Sequence, residues 1–586
     1  MNRARRSLRP GVVAGTLSAA LLFGVAASAD EPRDQPELGS GYATAPELRA
    51  ERWMIVTAHP LATDAGQAIL SAGGSAVDAA IAAQMVLNLV EPQSSGIGGG
   101  AFGLHFDAAS GDIDAFDGRE TAPAAVDETL FLNAEGEPLG FWDAVIGGRS
   151  VGVPGLLRML ELAHSRHGRL PWAGLFQPAI ELAETGFEVS PRMATSIAEA
   201  RELDRYPAAR AYFFDDAGEP LAAGTHLRNP ALAETLRAIA AGGADAFHHG
   251  PIAEAIVDTV RSADPPGRLD ARDLADYQAQ VRVPVCVPYR AREVCGMGPP
   301  SSGGVAVAQI LGLLEHFDPT ALPALIDRVH LFAEAARLAF ADRDLYLADS
   351  DFVAVPVRGL LEPAYLTHRA QRIQRHRASP DPGPGNPRWR EAELRAPDRA
   401  RTESGTTHLS VVDADGNALS MTSSIEMGFG SRLFVGGFLL NNQLTDFSFR
   451  PERDGRPVAN RVEAGKRPRS SMAPTLVLDA NGRPELVIGS PGGSRIIPYV
   501  ARVLVSVLDH GLAVNEAIGS AHYGNRDGPT ELEAGHTEPG LRMGLEERGH
   551  EVVEVEMVSG VHAIHRVDGG LHAGVDPRRE GAAAGE

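Results

Sequence analysis

Cysteine is nearly absent: Cys286 and Cys295 are the only two in 586 residues. Two thiols cannot hold a structural zinc ion on their own, and no His, Asp or Glu cluster elsewhere completes a metal site. The pair His248-His249 stands beside Gly250 and reads as loop. Positive charge is also scarce. Against 76 acidic side chains stand 54 basic ones, a formal net charge of −22, which repels phosphate backbones and anionic lipid and argues against nucleic acid as a partner. Lysine is reduced to Lys466, so arginine carries nearly all the basic charge. Long apolar runs are missing too: the stretch Gly11 to Ala27 falls short of the roughly 20 residues that cross a bilayer. No repeat of solenoid or propeller period is present.

What remains is ordinary globular material, 44% apolar and 22% charged, enough for several packed layers or two to three domain-sized units. Arg3, Arg5, Arg6 and Arg9 precede the apolar stretch, and Ala27-Ser28-Ala29 follows it. This pattern predicts a signal peptide over residues 1–29, a mature chain from near Asp30 and a periplasmic or secreted protein without a membrane anchor. Arg5-Arg6 leaves a twin-arginine route open, although the residues after it match poorly and the general route is expected. If Arg290-Ala291 forms a two-residue hairpin turn, Tyr289 faces Arg292 and Cys286 faces Cys295 in a non-hydrogen-bonded pair. A disulfide and two buried free thiols both fit that register; the first suits an exported protein.

Two helices are predicted between Asp64 and Val90, broken at Gly73-Gly74 and restarted behind the N-cap Ser75. A strand from Ala101 to Phe106 follows the glycine run Gly96 to Gly100, and Asp112 to Phe116 is its return. That run is a poor dinucleotide loop, since no strand clearly leads into it. Helical periodicity reappears at Val305 to His316 and Leu325 to Leu347. Residues 379–401, rich in proline, glycine and charge, predict a mobile, exposed segment. Beyond it come two hairpins, Thr407 to Val412 with Ala418 to Ile425 and Pro474 to Leu478 with Leu486 to Gly489, then an apolar helix from Ser494 to His510.

The junction Gly405-Thr406-Thr407-His408 is the first place that suggests a reaction. A threonine hydroxyl needs a base beside it, and a cut before Thr406 would supply one, its own α-amine. Glycine crowds the scissile carbonyl least. A strand simply starting there is the plainer alternative.

Further motifs share the order and spacing of one family: Asp117-Gly-Arg119-Glu-Thr-Ala-Pro, Pro299-Pro-Ser-Ser-Gly-Gly, Thr406-Thr-His-Leu-Ser-Val-Val-Asp, Leu439-Leu-Asn-Asn-Gln443-Leu-Thr-Asp446-Phe, Arg469-Ser-Ser-Met-Ala-Pro-Thr and Gly489-Ser-Pro-Gly-Gly-Ser-Arg. Together they resemble the gamma-glutamyltransferase (glutathione hydrolase) proenzymes, from about Thr57 to Asp576-Pro-Arg. The resemblance implies an α+β fold, the αββα four-layer sandwich of N-terminal-nucleophile hydrolases. One precursor would be cut at Gly405-Thr406 into a large subunit, 30–405, and a small catalytic subunit, 406–586, that stay associated. Thr406 would attack the γ-glutamyl carbonyl of a small-molecule substrate such as glutathione, and water, an amino acid or a peptide would accept the acyl group. No metal or organic cofactor is required.

The resemblance also implies roles for individual residues. Ser424 would orient the nucleophile, and Gly492 and Gly493 would hold the oxyanion at a helix start. Arg119 would take the substrate α-carboxylate with Ser470 and Ser471, and Gln443 and Asp446 its α-amine. Glu426 replaces a common asparagine, favouring the amine over the carboxylate, with Arg432 nearby to neutralise it. The stretch between Asp446 and Ser470 is shorter than the family's lid and lacks its tyrosine, so a more open pocket is expected. These departures keep open a relative that cleaves glutaryl or other acyl amides, as cephalosporin acylases do. An uncut binding scaffold is the third alternative, disfavoured by the intact Gly405-Thr406.

Overall fold

A computed structural model of the chain describes residue 1 and residues 38–43, 47–322, 324–380, 383–388, 395–398 and 405–586. Past Met1, the expected signal segment lies outside the described residues, as does part of 379–401. Among the described residues no helix is long and apolar enough to cross a membrane.

Fourteen strands build two seven-stranded sheets. In chain order they are β1 (Arg49–Ala50), β2 (Met54–Thr57), β3 (Gly100–Phe106), β4 (Ile113–Asp117), β5 (Gln280–Arg282), β6 (Val285–Tyr289), β7 (Arg292–Gly296), β8 (Gly405–Val412), β9 (Ala418–Glu426), β10 (Thr475–Leu478), β11 (Pro484–Gly489), β12 (His562–Val567), β13 (Gly570–Val575) and β14 (Ala582–Gly585). The first sheet runs β14-β2-β8-β9-β3-β4-β5 and the second β1-β13-β12-β11-β10-β7-β6. The helices that matter here are α1 (Pro60–Ser71), α2 (Ala76–Val90), α3 (Leu156–His167), α4 (Gly303–Leu314), α5 (Leu325–Tyr346) and α6 (Ile496–Leu508).

Alternation along β8 and β9 decides which sheet face meets which layer. Leu409, Val411, Leu419, Met421 and Ile425 join one buried apolar cluster with α1, α2 and α3. Ser423, on the same side, donates its hydroxyl to Gln84 Oε1 on α2 at 2.6 Å. The intervening residues point to the second sheet: Ser420 Oγ donates to Ile488 O at 2.9 Å, and Ser410 Oγ lies 3.2 Å from His562 O. Met54, Val56, Phe102 and Leu104 complete that inner face, in a second cluster that also holds α4, α5 and α6. The two sheets therefore face one another, with hydroxyls bridging part of their contact and helices outside.

Local signals explain the helix boundaries. Ser75 caps α2 in a reciprocal box with Asp78, which satisfies two otherwise orphaned backbone donors. The helix expected from Ser494 starts instead as a tight 3-10 turn, Gly493–Arg495, and becomes α-helical at Ile496. Gly492 and Gly493 take positive φ, 122° and 55°, so the chain is still turning out of β11 there. Arg290 and Ala291 form the predicted turn with φ of 48° and 65°. Tyr289 opposes Arg292, Cys286 opposes Cys295, and the two sulfurs are joined as a disulfide.

Two sequence expectations need correction. His248 is not in a loop: it ends the short helix Asp245–His248, buried, with Nδ1 2.9 Å from Leu274 O. The described parts of 379–401 are not simply exposed. Gly385 N donates to Asp342 Oδ1 and its carbonyl accepts from Tyr346 Oη, while Asp398 is buried between Asn460 Nδ2 at 3.0 Å and Arg469 Nη2 at 3.1 Å. Polar anchors of this kind leave no apolar period in a sequence.

Candidate active site

Thr406 stands near the start of β8 on the face turned to the second sheet, 1% exposed. Its cross-strand partner is Ser424, and the register slips between Gly405 and Thr406, so that Gly405 pairs with Glu426. A bulge at this point breaks the ladder and re-aims the local side chains and carbonyls. Thr406 Oγ1 donates to Ser424 Oγ at 3.2 Å, and Ser424 Oγ donates to Gly405 O at 2.8 Å. Ser424 Oγ also accepts Glu426 N at 2.9 Å. One hydroxyl proton and two lone pairs are thus all used, and the serine is held between the threonine hydroxyl and the carbonyl before it. Behind them, Gly99 lets β3 close in: a Cβ there would lie 2.1 Å from Ser424 O. The glycine run at 96–100 is a packing device at this position.

From Ser424 the bonds continue into a charged cluster. Glu426, buried with φ of 78°, accepts Asn442 Nδ2 on Oε2 at 2.5 Å. The next residue, Gln443, donates Nε2 to Asp446 Oδ2 at 2.7 Å, and Arg119 Nη2 reaches the same oxygen at 2.5 Å. Arg119 is fully buried; its Nε donates to Pro468 O at 3.1 Å and Nη2 to Arg469 O at 3.2 Å. Arg432 does not sit in a direct fork with Glu426: its donors go to the carbonyls of Arg201, Gly428 and Gly430. Burial lowers its pKa to about 10 against the opposing pull of Glu426.

Ser470 and Ser471 follow Arg469 directly. Ser470 O accepts both the amide and the hydroxyl of Ser302, and Ser471 Oγ accepts Arg343 Nη2 at 2.8 Å. The motif at 299–304 thus meets the motif at 469–475. Gly492 and Gly493 turn the chain from β11 into α6; the leading N–H groups of such a helix start have no intrahelical acceptor. Phe447, Phe449 and Val462 pack with Ala122, Val126 and Phe131, and Asn460 ties Asp446 O, Arg469 N and Asp398 together. These contacts anchor the stretch between Asp446 and Ser470 to the residues around Arg119. Among the described residues no group of His, Cys, Asp or Glu is arranged to hold a metal ion.

A family model for gamma-glutamyltranspeptidase matches residues 62–586. The chain belongs to the gamma-glutamyltranspeptidase family. It is 36% identical over 547 residues to a glutathione hydrolase proenzyme of Bacillus subtilis strain 168, covering 91% of each chain. It is 37% identical to the acylase ACY 1 proenzyme of Pseudomonas sp. strain SE83, covering 87% of this chain and 88% of that one. The crystal structure of cephalosporin acylase from Bacillus halodurans superposes with a TM-score of 0.82 at 27% identity, over 94% of this chain and 99% of that one. These gamma-glutamyltranspeptidase relatives and this neighbour support an enzyme with a mixed helix and sheet fold.

Some residues at the site carry no separate expectation from sequence. Asn442 bridges Glu426 and the backbone of Met427, and Arg343 links Ser302 to Ser471. Arg579 Nη1 lies 3.4 Å from Thr406 O, and burial lowers its pKa to about 9. The signal for Asn442 was its place inside the motif Leu439 to Phe447; Arg343 and Arg579 offered none beyond being arginine.

Proposed function

We propose that this chain is a self-cleaving precursor whose mature form transfers or hydrolyses the γ-glutamyl group of glutathione and related amides through an ester on Thr406. The observation that carries this is Ser424 Oγ, bonded at once to Thr406 Oγ1 and to Gly405 O. Thr406 Oγ1 attacks the Gly405 carbonyl carbon through a five-membered ring. Its proton leaves through Ser424, whose own proton supports the carbonyl oxygen as charge develops there. Collapse expels the Thr406 nitrogen, which takes up a proton, and water hydrolyses the resulting ester to a Gly405 carboxylate and a free Thr406. The layering of two facing sheets between helices supports the αββα N-terminal-nucleophile fold, and residues 30–405 and 406–586 are the two proposed subunits.

In the mature form the liberated α-amine takes the hydroxyl proton as Thr406 attacks the donor carbonyl. The backbone N–H groups at Gly492 and Gly493 stabilise the oxyanion, and the amine returns the proton to the leaving group. Water or an acceptor amine then resolves the ester. A γ-glutamyl donor carries both an α-carboxylate and an α-ammonium. The Arg119–Asp446 pair offers one partner for each, with Gln443 holding Asp446 and Ser470 and Ser471 beyond Arg469. Entry of this zwitterion replaces one ion pair with two.

The acylase relative favours a second reading, cleavage of glutaryl or other acyl amides. A glutaryl group has the carboxylate but no ammonium, so it competes with Asp446 for Arg119 and brings no cation to replace that pairing. Like charges oppose it. Rates on γ-glutamyl and glutaryl anilides decide: faster γ-glutamyl release supports the first reading, and faster glutaryl release overturns it.

A further inference from the structure

Next to Arg119 stands a buried acid with no role so far. Glu120 is 0% exposed, and neither carboxyl oxygen has a hydrogen-bond partner. Its Oε2 lies 3.5 Å from Arg119 Nη1. The other nitrogens of Arg119 are committed to Asp446 and to the carbonyls of Pro468 and Arg469, which leaves Nη1 as the edge not already bonded. The backbone packs tightly round the acid: a Cβ at Gly100 would lie 2.6 Å from Glu120 Oε2, and one at Gly152 3.0 Å from its Cβ. The titratable and charged groups facing it are Arg119, Asp446, Asp117 and Tyr277. β3 and the loop at Gly152 approach it with glycine.

Resting on the γ-glutamyl reading, we infer that Glu120 is a positioning residue for the donor's α-carboxylate: neutral, it leaves the Nη1 edge of Arg119 to the donor, and ionised it takes that edge for itself. Three carboxylates, Glu120, Asp446 and Asp117, share the neighbourhood of Arg119, whose charge is already drawn toward Asp446. Asp117 is paired with Arg282 and Arg467 and the donor's ammonium goes to Asp446, so the donor carboxylate and an ionised Glu120 are left to compete for Arg119. Asp446 accepts Arg119 Nη2 and Gln443 Nε2, and Asp117 accepts Arg119 N and Arg282 Nε, whereas the only N–H group acting on Glu120 besides Arg119 is its own backbone amide. The Glu120 pKa is raised to about 8 by burial, Arg119 opposing and the two aspartates adding. The 3.5 Å contact and this rise point in opposite directions. Burial prevails because Arg119 is shared with a nearer carboxylate.

The sign follows directly. Donor binding needs the protonated acid, so KM for a donor with an α-carboxylate rises with pH above about 8, by about tenfold between pH 7 and pH 9, while kcat does not follow it. The test measures KM and kcat against pH for the mature enzyme with a γ-glutamyl anilide and with its α-carboxamide analogue, and repeats the first donor with Glu120→Gln. The wild type should show the KM rise with the carboxylate donor only, and Glu120→Gln should lose most of that rise. KM is expressed as the concentration of the ammonium form of each donor, from separately measured amine pKa values, because the carboxamide lowers the basicity of its α-amine. A flat wild-type KM with the carboxylate donor, an equal rise with the carboxamide, or an unchanged rise in Glu120→Gln would each overturn the inference. The two wild-type arms decide even if the variant fails to fold. Lack of turnover on either γ-glutamyl donor would instead count against the functional reading itself.

Discussion

The two ends of the site are built from different materials. At the nucleophile end, Thr406, Ser424 and the Gly405 carbonyl form a neutral chain set by strand register and one bulge. At the donor end, buried Arg119 pairs with Asp446 from a distant part of the chain, with the buried acid Glu120 beside them. Register places atoms without long-range fields, which suits a self-cleavage that must occur before any substrate arrives. Charges recognise a zwitterion, which suits binding. Damage at the first end should therefore stop maturation, and damage at the second should weaken binding while maturation proceeds.

The largest effect expected is from Thr406→Ala, which should leave one uncut band on a denaturing gel and background turnover. Ser424→Ala should slow self-cleavage by about 10²-fold, the cost of losing one oxyanion donor, measured by band intensity over time; cutting at the wild-type rate would break the proposed relay. Arg119→Lys keeps the charge and loses the fork. Steady-state kinetics should show KM for a γ-glutamyl anilide up by roughly 10-fold or more, with normal cutting, and a failure to cut would erase the division between the two ends. Glu426→Gln removes a negative charge that favours the donor amine over its carboxylate, and should raise kcat/KM for a glutaryl anilide severalfold relative to a γ-glutamyl anilide. The smallest effect on activity belongs to Cys286→Ser with Cys295→Ser, at the edge strand of the second sheet. A thermal melt should show a loss of about 2 kcal/mol or less, with kcat unchanged.

Local structure was largely legible in the residues. The N-cap Ser75, the turn Arg290-Ala291 and the alternation of β8 and β9 are each dictated by near neighbours, and the structure shows all of them. The candidate site residues were legible through motif order, and the structure draws Thr406, Ser424, Glu426, Gln443, Asp446 and Arg119 into one hydrogen-bonded region. What was not legible depends on distance in the chain. Arg119 and Asp446 are 327 residues apart, and nothing local in either says that they pair. The slip at Gly405 is a property of two strands together, and the anchoring of Asp398 by Arg469 and Asn460 uses polar bonds that leave no periodicity. In the sequence nothing separates Glu120 from an exposed acid beside an arginine; its burial does.

N-terminal sequencing of the purified protein's bands tests the central claim most directly. Two bands are predicted, the smaller beginning Thr-Thr-His-Leu-Ser and appearing together with activity. A single full-length species with full activity, or a smaller band beginning at any other residue, would contradict the account.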